Sequence, residues 1–405
     1  MQNIEVSPHE PGTTYIAYYR YLLGDFEPYI YRTRDYGESW ERLTTGDNGI
    51  PADHPTRVVR EDPERAGLLY AGTEFGMFVS MDDGATWEPF QQNLPTTPIT
   101  DLKLADGNLY VSTMGRSFWV MDDLTPLHAM MDGLDATTVQ LLQPRDAVRT
   151  RGRRFGGAQQ GPQVEPQWAP NGLTVDYWVP EGLTADLSLS VLDDDGEVLR
   201  TYSTGGPGMR QVEDQGMRAP FTRMEGTARL TTRPGMNRFV WDFTSAGAAG
   251  RGSGPVVPPG RYEVQLAVGD RVLSRTARVV VDPRVAADGV TQADLEEQYA
   301  LSRAILETLA EAREVDERVQ RGLQGAQGDA REGFQGLDRR LNTLEEGSYQ
   351  TPMLLDQLSY LYSMLGRADQ KPGRDAYVRH QELETELEAI RRELERLERM
   401  VAQEG

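Results

Sequence analysis

Two carboxylates and one guanidinium stand where a β-rich segment turns. Glu74 lies in Gly72-Thr-Glu74-Phe-Gly76, Arg116 between Gly115 and Ser117, and Asp122 just after Phe118-Trp-Val-Met121. Such groups do two sorts of chemistry. A pair of carboxylates about 5–10 Å apart hydrolyses glycosides. Cleavage of a sialoside uses a Tyr–Glu pair, an acid and an arginine cluster that grips the substrate carboxylate. Glu74 and Asp122 are therefore the catalytic candidates, and Glu74 and Arg116 the ligand-binding candidates. One arginine is not a cluster, however, and a salt bridge between neighbouring sheets accounts for Glu74 and Arg116 as well. Whether the chain is an enzyme stays open at this level. The four histidines have no metal-ligand spacing. There is no Walker-type phosphate loop, and Gly252-Ser253-Gly254 lacks the spacing of a nucleophile elbow. No metal and no cofactor is expected.

The elements that must position these groups are set by a repeat. Thr33-Arg-Asp35-Tyr-Gly37-Glu-Ser39-Trp40 recurs as Ser80-Met-Asp82-Asp-Gly84-Ala-Thr86-Trp87, each copy following a short apolar strand. The Asp accepts backbone N–H bonds across a tight turn, and the Gly supplies positive φ. The hydroxyl closes the turn, and the Trp is expected to bury its ring against a neighbouring sheet. Asp35, Gly37, Trp40, Asp82, Gly84 and Trp87 are thus structural residues. The turns Ser7-Pro-His-Glu-Pro-Gly12 and Glu61-Asp-Pro-Glu-Arg-Ala-Gly67 occupy matching places before them. A period of this size predicts propeller blades of about 40–45 residues. Residues 1–127 read as two such blades plus a third, degenerate one.

Composition narrows the partners. The chain has 405 residues, 63 acidic against 42 basic, and a net charge of −21, so nucleic acid is not expected as a partner. Cysteine is absent, so neither a disulfide framework nor thiol chemistry exists. No run of about 18 apolar residues predicts a membrane span. The N-terminal stretch lacks the charged and apolar regions of a signal peptide.

Residues 128–170 read as a connector with a turn near Met130–Ala136 and a short strand at Val139–Leu142. Arg149, Arg151, Arg153 and Arg154 fall in its Gly- and Gln-rich part, expected as an exposed linker. Residues 171–283 predict an all-β sandwich, with a hairpin turn at Asp193-Asp-Asp-Gly196 and a strand placing Phe239, Trp241 and Phe243 on one face. The Asp193–Asp195 cluster misses the calcium-loop spacing. Residues 291–403 change to helical period. Thr291 and Asp294 suit a capping box. Leu295, Tyr299, Ser302, Leu306, Leu309, Val315, Val319 and Leu323 form one stripe, and Ala376 to Val401 step as a heptad seam that includes His380. The expected fold class is multidomain and mainly β with an α tail: partial β-propeller blades, an Ig-like β-sandwich, then an antiparallel three-helix bundle with an interrupted middle helix.

The repeated eight-residue motif resembles the Asp-box, or BNR, repeat of sialidases, sortilin-type receptors and xyloglucan-degrading enzymes. Gly115-Arg116-Ser-Phe-Trp119, with the Asp122-Asp-Leu exit, closely resembles the propeller end of large bacterial sortilin-like proteins labelled BNR-repeat glycosyl hydrolases. Asp35-Tyr-Gly37, Glu61-Asp-Pro63, Gly72-Thr-Glu74-Phe-Gly76 and Asn93-Leu-Pro95 fit as well. Met114 stands where that family usually has His, so any role of that imidazole is lost. The resemblance implies the C-terminal part of a secreted or periplasmic protein. Three readings follow from it: binding of a peptide or carbohydrate ligand without complete catalytic machinery, a glycoside hydrolase whose catalytic carboxylates lie in other blades, or an assembly module. A propeller of three blades is open, so missing blades or another copy of the chain are expected as partners.

Overall fold

The computed structural model describes residues 3–150, 170–205, 210–213, 222–225, 229–248, 252–343 and 351–404. The chain divides into two compact units, Met1–Asp135 and Ala136–Gly405.

The first unit is a row of antiparallel sheets. β1 (Asn3–Val6), β2 (Thr14–Arg20), β3 (Asp25–Thr33) and β4 (Glu41–Arg42) form the first sheet in that order. β5 (Thr56–Glu61), β6 (Leu69–Thr73), β7 (Met77–Ser80) and β8 (Glu88–Pro89) form the second. β9 (Ile99–Ala105), β10 (Asn108–Thr113) and β11 (Phe118–Met121) form a three-stranded third sheet, and α1 (Thr125–Met131) follows. A turn was expected near Met130; Pro126 at the first turn of α1 starts a helix earlier. Strand pairing is in register, so residues directly opposite share a face: Ala71 pairs Phe78, and Val111 pairs Trp119.

The sheets pack face to face, one on the next, the arrangement of propeller blades. Tyr15, Ala17, Ile30, Leu43 and Ile50 of the first sheet region meet Val59, Leu69, Ala71, Phe78 and Trp87 of the second in one core. The other face of the second sheet, with Val58, Tyr70, Met77 and Val79, meets Ile99, Leu102, Leu109 and Val111 of the third, and Leu124 and Leu127 complete that core. The middle sheet is consequently buried on both faces: every residue of β6 and β7 is buried. Such strands are continuous apolar runs rather than alternating ones.

The second unit begins with β12 (Gln140–Leu141), β13 (Ala147–Arg149), β14 (Leu173–Val179), β15 (Leu187–Leu192) and β16 (Val198–Ser203). β17 (Arg210–Glu213) and β18 (Thr222–Glu225) pair as a ribbon, and β19 (Gly235–Trp241) follows. β20 (Thr244–Ala246) pairs β21 (Ser253–Val256), then come β22 (Gly260–Val268) and β23 (Arg271–Val281). One sheet runs β12-β14-β19 and the other β13-β23-β22-β15-β16. Their inner faces share a core in which Val175 and Tyr177 meet Leu189, Val264 and Leu266, so the two sheets form a sandwich. Phe239, Trp241 and Phe243 are all buried in it.

Arg149 departs from the sequence expectation. It lies on β13, which adds in parallel to β23, and is 1% exposed rather than part of an exposed linker. Its Nη1 is 2.5 Å from Asp369 Oδ1 and its Nε donates to the Val257 carbonyl at 2.8 Å. A buried guanidinium is tolerated only with such partners. Arg151, Arg153 and Arg154 lie outside the described residues.

After the short α2 (Pro283–Ala287), the C-terminal region is helical: α3 (Gln292–Gly325), α4 (Gly328–Leu341), α5 (Leu354–Leu365) and α6 (Arg374–Glu404). Thr291 and Asp294 exchange capping bonds at the start of α3, 2.9 Å and 3.2 Å long. Gln298 lies by Leu365, and Gln320 by Asp338, so α4 and α5 run antiparallel to α3. Arg340 pairs Glu393 and Arg318 pairs Glu398, which sets α6 antiparallel to α4 and parallel to α3. The buried side of α3 is Leu295, Gln298, Leu301, Ser302, Ile305, Thr308, Leu309, Ala312, Val315 and Val319. Tyr299, Leu306 and Leu323 of the expected stripe are only partly buried. The helix faces two neighbours, α4/α5 and α6, so its buried sector is wider than a single stripe. His380 is buried on the α6 seam, with Nε2 2.9 Å from Thr308 Oγ1.

Candidate functional site

The two repeated Asp–Gly turns are built alike. In the first, Thr33 Oγ1 donates to Asp35 Oδ1 (2.7 Å) and accepts from the Gly37 N–H (2.9 Å). The Ser39 N–H and hydroxyl donate to Asp35 at 2.9 and 2.5 Å. The second repeats every bond: Ser80 to Asp82, Gly84 N–H to Ser80, and the Thr86 N–H and hydroxyl to Asp82, at 2.6–2.8 Å. Gly37 and Gly84 sit at φ +94° and +85°, each after a residue that is itself left-handed, Tyr36 and Asp83. Two consecutive positive φ values explain why glycine is needed at the second. These bonds favour the charged carboxylate. The Ser39 hydroxyl and N–H bring Asp35 down to about 2 from 3.8. Burial raises the Asp82 carboxyl, but its bonds from Thr86 and Ser80 leave it lowered.

The two box tryptophans differ. Trp87 is 3% exposed: its N–H donates to the Asn48 carbonyl (2.8 Å) and its Nε1 to the Leu43 carbonyl (3.1 Å). Trp40 is 42% exposed, contrary to the expectation that both rings are buried. Trp87 closes on the loop after β4 of the sheet before it. Among the described residues, no sheet offers Trp40 the same seat.

At the box end, buried polar groups lock the sheets. Asp62 is 1% exposed. Its Oδ2 accepts from Tyr70 Oη (3.0 Å) and lies 2.9 Å from His128 Nε2. Its Oδ1 accepts from the Glu64 and Arg65 N–H groups, and its carbonyl accepts from His9 Nε2 at 2.7 Å. Burial raises this carboxyl, yet the His128, Glu64 and Tyr70 bonds bring it net below the ordinary value. Arg32 and Arg34 both grip Asp83, and Arg60 reaches Glu5, Asp101 and the Leu102 carbonyl, touching all three sheets. Sequence reading missed Arg60, because no local pattern marks a strand arginine whose partners are about 40 and 55 positions away in the chain.

The opposite end carries the β2–β3, β6–β7 and β10–β11 turns, and here stand Glu74 and Arg116. Glu74 is not a bridge between sheets. It pairs with Arg57 of its own sheet at 2.7 Å, with both side chains largely buried. The Arg57 guanidinium also lies over the Tyr19 ring, and Tyr19 stacks on Tyr21 at 4.3 Å. Around this polar knot are exposed apolar side chains: Leu22 (80%), Leu23 (76%), Phe75 (48%) and Met114 (55%). His54 packs on Phe75, with centroids 4.9 Å apart. Arg116 is exposed on the neighbouring turn, and among the described residues no carboxylate pairs with it.

The structure does not bring Glu74 and Asp122 together. β11 starts at the turn end and Asp122 follows its last residue, so Asp122 lies at the box end, about 13 Å further along the strand direction. That exceeds the separation either glycoside-hydrolysis geometry uses. Among the described residues, no group of three or more His, Asp or Glu is placed to hold a metal ion. Asp193 instead accepts from the Asp195 and Glu197 N–H groups of its own turn. No helix among the described residues is long and apolar enough to cross a membrane.

No family model and no curated protein sequence matches the chain. Among solved structures it is similar to the GH74 enzyme of Niastella koreensis, at 10% identity over 69% of this chain and 46% of that one, with a TM-score of 0.25. It is also similar to the extracellular domain of a putative one component system from B. thetaiotaomicron, at 10% identity over 68% and 35%, TM-score 0.20. A third is YCF48 bound to D1 peptide, at 14% identity over 68% and 80%, TM-score 0.22. The chain thus spans less than half the length of the first two. None of these likenesses assigns a role to a residue of this chain.

Proposed function

We propose that this chain is a ligand-binding part of a secreted, sortilin-like Asp-box propeller protein, with an Ig-like sandwich and a helical bundle appended. It takes a peptide or a glycan on the turn end of its sheets and does not hydrolyse it. The observation that carries this reading is the Arg57–Glu74 pair at 2.7 Å. A carboxylate bonded by a guanidinium of its own sheet is held by the protein rather than presented to a substrate. The candidate second carboxylate, Asp122, stands at the other end of its strand. The exposed side chains Leu22, Leu23 and Phe75, next to the Tyr19–Tyr21 stack, instead supply apolar and aromatic area with a few fixed polar groups, the composition of a binding surface. Arg116 adds an exposed cation on the next turn.

The test is calorimetric titration of the chain with peptide and oligosaccharide panels, run beside assays for cleavage of β-glucans and sialosides. Binding that weakens in Phe75→Ala and Arg116→Ala, without turnover, supports the reading. Turnover that disappears in Glu74→Gln overturns it in favour of a glycoside hydrolase.

A further inference from the structure

The strand registers make the three sheets directly comparable. Tyr70 pairs Val79 and Gly72 pairs Met77 in the second sheet; Tyr110 pairs Val120 and Ser112 pairs Phe118 in the third. In the first, Tyr15 pairs Arg32 and Ala17 pairs Ile30. These positions form the face that each sheet turns toward the next one in the chain. In the first and second sheets that face is buried: Tyr15 2%, Ile30 0%, Tyr70 0%, Met77 4%, Val79 3%. In the third it is open: Tyr110 39%, Phe118 84%, Val120 46%.

The opposite face follows the same logic. In the second sheet, Val59, Ala71, Phe78 and Trp87 are buried against the first. Their counterparts in the first sheet are Ile4, Ile16, Tyr31 and Trp40, as the pairings Ile4–Ile16 and Ile16–Tyr31 and the repeated box show. Ile4 is 51% and Trp40 42% exposed, and Val6 beside them is 67% exposed. One chain therefore carries both halves of a single kind of interface, each without a partner among the described residues. A terminal repeat of a stacked array carries a polar outer face; both of these faces are apolar.

We propose that the open face of the first sheet docks on the open face of the third sheet of a second copy of this chain. The contact is heterologous, head to tail, and such contacts form rings when the rotation closes. Three sheets from each of two copies close a ring within the range of about four to eight blades that propellers use. The two docked contacts would then be identical, and the turn ends of both copies would line one rim. This inference rests on sheet packing alone and stands or falls separately from the ligand reading.

Sedimentation velocity over nanomolar to high-micromolar concentrations tests it, with Ile16→Glu to break one face and Phe118→Glu to break the other. The wild type should associate to a dimer. Each variant alone should associate at least about tenfold more weakly, since an unpaired carboxylate would be buried in the contact. Mixing the two variants should regenerate a dimer, because the Phe118→Glu copy keeps its first-sheet face and the Ile16→Glu copy keeps its third-sheet face. Circular dichroism checks that each variant is folded; Trp40→Lys and Val120→Lys, at exposed positions, replace any that is not. A wild type that stays monomeric overturns the proposal. So does association that both variants leave unchanged, or a mixture that stays monomeric.

Discussion

Trp87 Nε1 donates to the Leu43 carbonyl at 3.1 Å across the seam between the first two sheets. Its counterpart Trp40 is 42% exposed. One motif therefore has two energetic values. Trp87→Ala should cost roughly 3–5 kcal/mol, the range for emptying a buried aromatic site. Trp40→Ala in dilute solution should change stability by less than about 1 kcal/mol. Denaturant melts of both variants, followed by sheet circular dichroism, check the contrast. Equal losses would mean the seam is not what seats the box tryptophan.

The same seam makes Gly49 sensitive. It sits at φ +117°, and a Cβ there would overlap the Trp87 carbonyl. Gly49→Ala should destabilise by more than about 1 kcal/mol, whereas Gly133→Ala, also at positive φ but in open space, carries the backbone strain alone. The difference between the two midpoints isolates the steric part.

Acid should unlock the box end. Asp35 has a folded pKa of about 2 against an ordinary 3.8, and Asp62 and Asp82 are also lowered. A lowered carboxylate contributes stability that is complete above its unfolded pKa and is lost as pH falls through the folded one. Stability should therefore hold down to about pH 4 and drop between about pH 4 and 2. Asp35→Asn should flatten part of that slope. A melt whose midpoint is constant over this window would remove the box carboxylates as the cause.

Asp62 gathers His128, Tyr70 and two backbone N–H groups in a buried position. Asp62→Ala strands those donors and should cost roughly 3 kcal/mol or more. Hydrogen exchange should show the change at α1 and the Glu64–Arg65 turn first. An unchanged exchange pattern at α1 would deny His128 its tethering role.

In the second unit, the buried Arg149–Asp369 pair at 2.5 Å predicts asymmetric substitution effects. Arg149→Met removes the guanidinium from beside a buried carboxylate and should cost roughly 3–5 kcal/mol. Adding Asp369→Leu should recover much of the loss, because two apolar residues no longer bury a charge. A double variant no more stable than the single one would place the cost in the Val257 bond instead.

Much of this architecture is carried by local pattern. The Asp, Gly and hydroxyl of each box act within eight residues, and the same bonds form in both copies. The Thr291–Asp294 cap acts within four. Period-two strands and the change to helical period near Thr291 are also nearest-neighbour facts, because side-chain direction follows directly from backbone geometry.

What the tertiary structure alone decided are the pairings between distant residues. Glu74 chose Arg57 of its own sheet, Arg149 left an expected linker for a buried strand, and Arg60 bound carboxylates on either side of it. Identical box tryptophans became one buried and one exposed ring. Local sequence sets which face a side chain takes, and so Trp40 and Trp87 look alike there. Whether that face meets another sheet depends on packing between elements, and burial, partner choice and site geometry follow from that packing.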